Sequence, residues 1–370
     1  MKPDYNAVLV VPTGIGCAIG GYAGDALPVA RAMAEVVDCL ITHPNVLNGA
    51  QLYWPKDNIL CVEGYALDQF AAGNWALQPV HRNRIGLVLD QAIEPDLRLR
   101  HLQVADAARA TLGLEIAGYV VTDHPLGVTL KTAESGASWG TIEQPDSLLR
   151  AAEKLIEQAE VEAIAIVARF PDETENEALQ QYRQGQGVDG LAGAEAVISH
   201  LIVQHFQLPC AHAPALSPLP LDAAISPRAA AEEIGYTFLP CVLAGLSHAP
   251  QYRLVPQHQQ PECQQLKAQI SDQNTQITAS QINTIVVPAS ACGSSAVLSL
   301  SSRGTKLIAV EENETALNVP PEPLGLKVIR VRSYLEALGA IASDRAGVDP
   351  KVLQPDIALL QPIAPFQCLC

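Results

Sequence analysis

Short β-rich runs recur along this chain, and most of them are apolar without interruption: Ala7–Val11, Cys39–Thr42, Ile85–Asp90, Tyr119–Thr122, Ala163–Ala168, Thr284–Val287, Lys306–Val310 and Lys327–Val331. A strand with one wet face alternates apolar and polar residues. A run that does not alternate belongs to a strand covered on both faces, the usual condition in a parallel sheet. Helix signals fall between the runs. Asp25 caps a segment through Val29–Val36, Pro95–Leu112 is periodic and ends at Gly113, and Pro145 opens a helix to about Gln158. Asp189 or Gly190 opens another through Ala194–Phe206, and Ser226–Pro227 starts one that Gly235 ends. Strands and helices alternating at this length make βαβ units. The expected fold class is α/β, a doubly wound, mainly parallel sheet with helices on both faces, Rossmann-like.

The segment 251–283 breaks this rhythm, with ten glutamines in 33 residues. It reads as a linker or surface insertion with one short helix near Pro261–Ile270. It divides a main α/β domain, 1–250, from a C-terminal α/β part, 284–370, that packs beside it. The apolar, proline-interrupted tail suggests docking onto the body or onto a second copy.

Composition narrows the function classes. Hydrophobic residues make up 48% of the 370 and charged ones 17%, enough for a large core. The net charge is 23 − 39 = −16, which argues against a phosphate-backbone binder and so against a nucleic-acid partner. No run approaches the ~18 apolar residues of a membrane span, and the first six residues lack a basic-then-apolar pattern. The nine cysteines are scattered with no CxxC pair, so neither a disulfide framework nor a metal site is indicated. The expectation is a cytoplasmic protein that binds a small molecule, with no membrane partner and no cofactor named by the sequence.

The run THPNVLNGA at Thr42–Ala50, ESGASWGT at Glu134–Thr141, YRQGQGVDGLAGAEAVISH at Tyr182–His200 and the stretch Ser226–Pro250 resemble a family of unknown function common in cyanobacteria. The resemblance covers most of residues 5–250 and 284 to about 340. It implies a cytosolic protein of a photosynthetic cell and carries no catalytic residues with it.

Two loops share a pattern. Val8–Pro12 leads into Thr13–Gly21, and Thr284–Pro288 into Ala289–Ser295: strand, proline, small residues, one cysteine. We read this as two uses of a common turn, with a degenerate duplication as the alternative. In the first loop, Thr13, Gly14, Gly16, Gly20 and Gly21 let backbone N–H groups approach a phosphate or carboxylate at a helix N-terminus. The dinucleotide fingerprint is incomplete, because Ile19 stands where glycine is needed and Thr42–His43 offers no acid for a ribose; no lysine completes a Walker loop. In the second, Ser290, Ser294 and Ser295 offer hydroxyls, and Cys292 at a helix start would have a lowered pKa and act as a nucleophile. Cys17 and Cys292 together would suit a two-cysteine racemase. Gly136–Gly140 is a formal G-x-S-x-G around Ser138, but the following helix is delayed; the loop reads instead as a pocket wall, with Ser135 and Ser138 as ligand contacts.

Arg169 and Arg183 are scarce cations that could clamp an anion. Strand-end polar groups are the last candidates: His43 and Asn45 as ligand contacts, and Asp123 beside His124 for acid–base work. Bland readings stand beside each of these, as caps, turn formers and surface ion pairs. The leading expectation is an enzyme holding a small anionic metabolite between the two loops and the rim near Arg169 and Arg183. A bulky residue at Gly20 or Ser294 should then abolish binding without harming the fold. A non-catalytic metabolite sensor or partner-binding protein is the second reading, and a serine or cysteine hydrolase or racemase the third.

Overall fold

The structure is a computed structural model that describes residues 3–22, 24–47, 55–134, 136–172, 177–230, 238–255, 276–357 and 359–360. In chain order the first elements are β1 (Asn6–Leu9), α1 (Leu27–Ala34), β2 (Cys39–Thr42), α2 (Pro44–Leu47), β3 (Ile59–Cys61), α3 (Gly64–Ala71) and β4 (Trp75–Gln78). A second series follows: β5 (Ile85–Leu89), α4 (Pro95–Leu112), β6 (Ile116–Val121), β7 (Val128–Thr132), β8 (Ser138–Ile142), α5 (Pro145–Ala159), β9 (Ala163–Arg169), α6 (Glu177–Arg183), α7 (Ala192–Phe206), β10 (Cys210–Ala215), α8 (Leu239–Ser247) and β11 (Gln251–Leu254). The last are β12 (Ile282–Pro288), α9 (Ser295–Ser302), β13 (Lys306–Val310), β14 (Val328–Val331) and α10 (Tyr334–Ala346).

The uninterrupted apolar runs do form parallel strands, and they divide between two sheets. One has the order β14-β13-β12-β1-β2-β3, the other β10-β9-β5-β6. Strand β12 pairs in parallel with β1, so the C-terminal strands extend the sheet that the N-terminus begins. The fold is α/β and doubly wound. Helices α1 and α10 cover one face of the six-stranded sheet in a core containing Leu9, Met33, Leu40 and Ile341. Helices α4 and α8 cover the outer face of the four-stranded sheet, packing Ala105 and Leu243 over Leu87 and Ala165. Between the sheets lies the largest core, where α3 and α9 meet α5 and α7. Alternation along β1 explains this division. Ala7 and Leu9 face the outer core, while Val8 faces the central one.

Helix α4 spans Pro95–Leu112 and ends at Gly113 in the left-handed region, φ +69°. Helix α1 starts without a side-chain cap, because Ala26 rather than Asp25 is its N-cap residue. From Ser226 to Arg228 the chain turns, and the last part of that expected helix, 231–235, lies outside the described residues. So does the expected helix at Pro261–Ile270. Both ends of the Gln-rich segment land on β4: β11 pairs with it antiparallel, and Ile277 bonds Leu77 through both backbone groups.

Candidate functional site

Because β1 and β12 are neighbours, their loops leave the same sheet edge side by side. The connections of this sheet run outward from that pair, through α1 to β2 on one side and through α9 to β13 on the other. This is the reversal point of a doubly wound sheet, outside whose strand ends a ligand crevice opens.

The loop after β1 is stitched down from both sides. Ala18 N–H donates to the Glu314 carbonyl and Ile19 N–H to Asn313 Oδ1, and the Asn313 amide returns bonds to the Ile19 carbonyl and the Tyr334 hydroxyl. On its other flank Gly14 O accepts from Ser138 N–H at 2.9 Å. Gly20 N–H donates to Asp25 Oδ1 at 2.7 Å, and Arg228 Nη1 lies 3.2 Å from the other oxygen of that carboxylate. Burial pushes the Asp25 carboxyl up, partly offset by Gly20 N–H and Arg228. Gly20 and Gly21 are buried in the turn, and a Cβ on Gly21 would lie 2.5 Å from the Cys17 carbonyl oxygen. They shape the loop rather than face a ligand. Of these glycines, Gly16 lines the cleft described below; Thr13 precedes the turn.

The loop after β12 is also internally satisfied. Ser290 Oγ pairs with Thr315 Oγ1 at 2.8 Å, and Ser294 caps α9 by accepting from Val297 N–H. The Asp68 carboxylate of α3 accepts from Ala296 N–H and the Ser295 hydroxyl. The protein's own carboxylate therefore sits at the helix N-terminus where an external anion was expected. Cys292 is fully buried, and its thiol bonds the Pro288 and Ala289 carbonyls. Burial raises it to about 11, and Cys17 to about 12. The lowered thiol pKa expected at the helix start is thus reversed, since desolvation outweighs the helix end. Neither thiol is a thiolate at neutral pH, which removes the basis for a cysteine nucleophile or a two-thiol racemase.

Ser138 opens β8 of an antiparallel hairpin, and its Oγ accepts from Gly193 N–H. This is no strand-to-helix elbow, so the G-x-S-x-G match carries no hydrolase chemistry. Ser135 lies outside the described residues, as does the side chain of Asn45. His43 is half-buried, with its ring Nε2 2.7 Å from the Val11 carbonyl; desolvation lowers its pKa and keeps the ring neutral. Asp123 is gripped by Arg150 at 2.7 and 2.9 Å and by the Ser147 hydroxyl. Those bonds hold its carboxyl far below the ordinary range, so it is no proton acceptor for the exposed His124.

The arginines do not form a clamp. Arg169 forks onto Glu94 and Asp172. Arg183 is buried and donates to the Pro220 carbonyl at 2.7 Å. Asp90, at the end of β5, is fully buried and accepts backbone N–H groups from Ala92, Leu126 and Arg169.

A cleft of about 580 Å³ opens between the half built on the six-stranded sheet and the half built on the four-stranded one. Gly16–Ala18 and Tyr22 wall it from the first loop, Glu314 and Thr315 from the segment after β13. Gly185, Gly187, Ser226 and Arg228 wall it from the second half. Gly16 has φ +66°, and a Cβ there would lie 3.2 Å from the Gly187 carbonyl oxygen. Arg228 was missed from the sequence. The available signal was the scarcity of cations in so acidic a chain. Among the described residues no group of three or more His, Cys, Asp or Glu is arranged to hold a metal ion, and no helix is long and apolar enough to cross a membrane.

The family model described as "Protein of unknown function (DUF3326)" matches residues 6–354. The chain belongs to that family, as its resemblance to a cyanobacterial group implied. A protein of Synechococcus sp. named an uncharacterized lipoprotein is 60% identical over 352 residues, which cover 95% of this chain and 94% of that relative. Its name contradicts the cytoplasmic location expected above, which rested on the first six residues, the lack of a long apolar run, the scattered cysteines and the family resemblance. No solved structure matches.

Proposed function

We propose that this member of the DUF3326 family binds a small anionic metabolite in the cleft between its two halves. The observation that carries the reading is the position of Arg228. It lines the cleft half-exposed and gives Nη1 to Asp25 at 3.2 Å, and its fork has further donors for a carboxylate or phosphate. The cleft lies at the sheet's reversal point, walled by loops from both halves, as ligand crevices in α/β folds are. Binding is favoured over covalent catalysis, because Cys17 and Cys292 are protonated and Ser138 lies in a hairpin. A sensor with the same pocket is the second reading. Native mass spectrometry against the denatured mass would reveal a retained ligand. A thermal-shift panel of phosphorylated and carboxylated metabolites would then find the class. Arg228→Ala should weaken the best hit by about ten- to a hundredfold, the loss of one charge-assisted hydrogen bond. Affinity unchanged in that variant would sink the proposal.

A further inference from the structure

Behind the cleft lies a second cavity of about 160 Å³, at the carboxyl ends of β9 and β10. Leu179, Tyr182, Val188, Leu191, Leu216 and Phe238 are among its apolar lining residues. Its charged lining groups are already engaged. Asp172 accepts from Arg169 and from both N–H and Oγ of Ser217, Asp189 accepts from Leu191 N–H, and Arg183 donates to the Pro220 carbonyl. With those bonds made, the walls are mostly hydrocarbon. Close-packed interiors leave few voids larger than a water molecule, and an apolar cavity near 150 Å³ stays dry and takes a benzene-sized guest.

The partition between cavity and cleft is thin. Val188 lines the cavity, and its Cγ2 lies 3.3 Å from where a Cβ on Gly16 of the cleft would stand. Tyr182 of the cavity and Tyr22 of the cleft meet with ring centroids 4.7 Å apart. Gly185 and Gly187, both near φ +81°, flank this partition. We propose that the cavity is the apolar half of one ligand site, joined to the cleft when the side chains of Val188 and Tyr182 swing aside. It takes the ring or short branched end of a molecule whose anionic end meets Arg228. This rests on the reading of the cleft given above, and it names the substrate class as a small amphipathic carboxylate or phosphate with a benzene-sized apolar end.

Ligand-observed NMR on the full chain with three probes tests it: toluene for the cavity alone, propionate for the cleft alone, and 3-phenylpropionate for both. The expected result is that 3-phenylpropionate binds at least tenfold more tightly than either partial probe. Leu216→Trp and Leu179→Phe fill the cavity from two sides, and circular dichroism identifies which variants fold. A folded filled variant should lose toluene and weaken 3-phenylpropionate at least tenfold. Arg228→Ala should cancel the advantage of 3-phenylpropionate and leave toluene bound. If toluene does not bind, or binds a folded filled variant equally well, the cavity proposal is overturned, while the cleft stands or falls separately on whether propionate needs Arg228. If toluene is lost on filling but 3-phenylpropionate binds no more tightly than toluene, one ligand does not span both spaces and the proposal is again overturned.

Discussion

Gly20 is where the loop after β1 meets the core, and its replacement gives a sharp test of how that loop is held. Its φ is +94°, and a Cβ there would stand 2.0 Å from Val11 Cγ1 and 3.0 Å from Val11 Cβ. Val11 is fully buried. Gly20→Ala thus incurs two costs. A side chain at positive φ costs about 1–2 kcal/mol, and forcing a methyl into a packed core adds about 1–3 kcal/mol. The sum is about 2–5 kcal/mol. Gly113→Ala isolates the first cost, because its φ is +69° with nothing within 4 Å of the added Cβ. Val11→Ala removes the colliding methyl groups at a cost of about 2 kcal/mol of lost burial. The double variant should therefore be less destabilised than the sum of the single ones by about 1–3 kcal/mol. Urea unfolding followed by circular dichroism measures all four variants. If Gly20→Ala costs no more than Gly113→Ala, or the cycle is additive within about 0.5 kcal/mol, packing against Val11 is not what selects glycine. The same geometry corrects the expectation that a bulky residue at Gly20 spares the fold.

Two further outcomes follow from the buried titratable groups. Burial alone would lower the His200 pKa, but contact with Glu63 and the nearby Asp68 raises it overall. A raised folded value stabilises below the unfolded pKa of about 6.5 and loses that contribution as pH rises through the folded value. The melting-temperature advantage of the wild type over His200→Gln should accordingly shrink between about pH 6 and 8; an advantage that is constant or grows would refute the pair. At pH 7.5 iodoacetamide should leave Cys17 and Cys292 unmodified in the native protein and label both in urea; rapid native labelling of either would show that the burial described for it is wrong.

The sheet strands were legible where hydrophobicity is continuous, because burial on both faces writes itself directly into composition. Strand β10 was not, since Cys-Ala-His-Ala-Pro-Ala has small residues, a proline and a histidine where branched apolar ones would signal a strand. The pairing of β12 with β1 was not legible either. Asn6 meets Ile282 across most of the chain, and nothing local records such a partner. The proline-and-cysteine pattern shared by their loops was the one trace of it, and two uses of a common turn produce that trace as readily as neighbourhood does.

At the candidate site, sequence reasoning found the loops but not their occupants, for an electrostatic reason. Free N–H groups at a tight turn or helix start attract any carboxylate within reach. This chain has 39 acidic residues against 23 basic ones. A carboxylate tethered in the same fold also has a large effective concentration over a diffusing metabolite. Asp25 answers Gly20 N–H, and Asp68 answers Ala296 N–H. In so acidic a protein, a glycine- or serine-rich turn is therefore weak evidence for an anion site, and a cation left partly exposed beside it is stronger evidence. Arg228 meets that criterion, whereas Arg169, with Glu94 and Asp172 on its fork, does not.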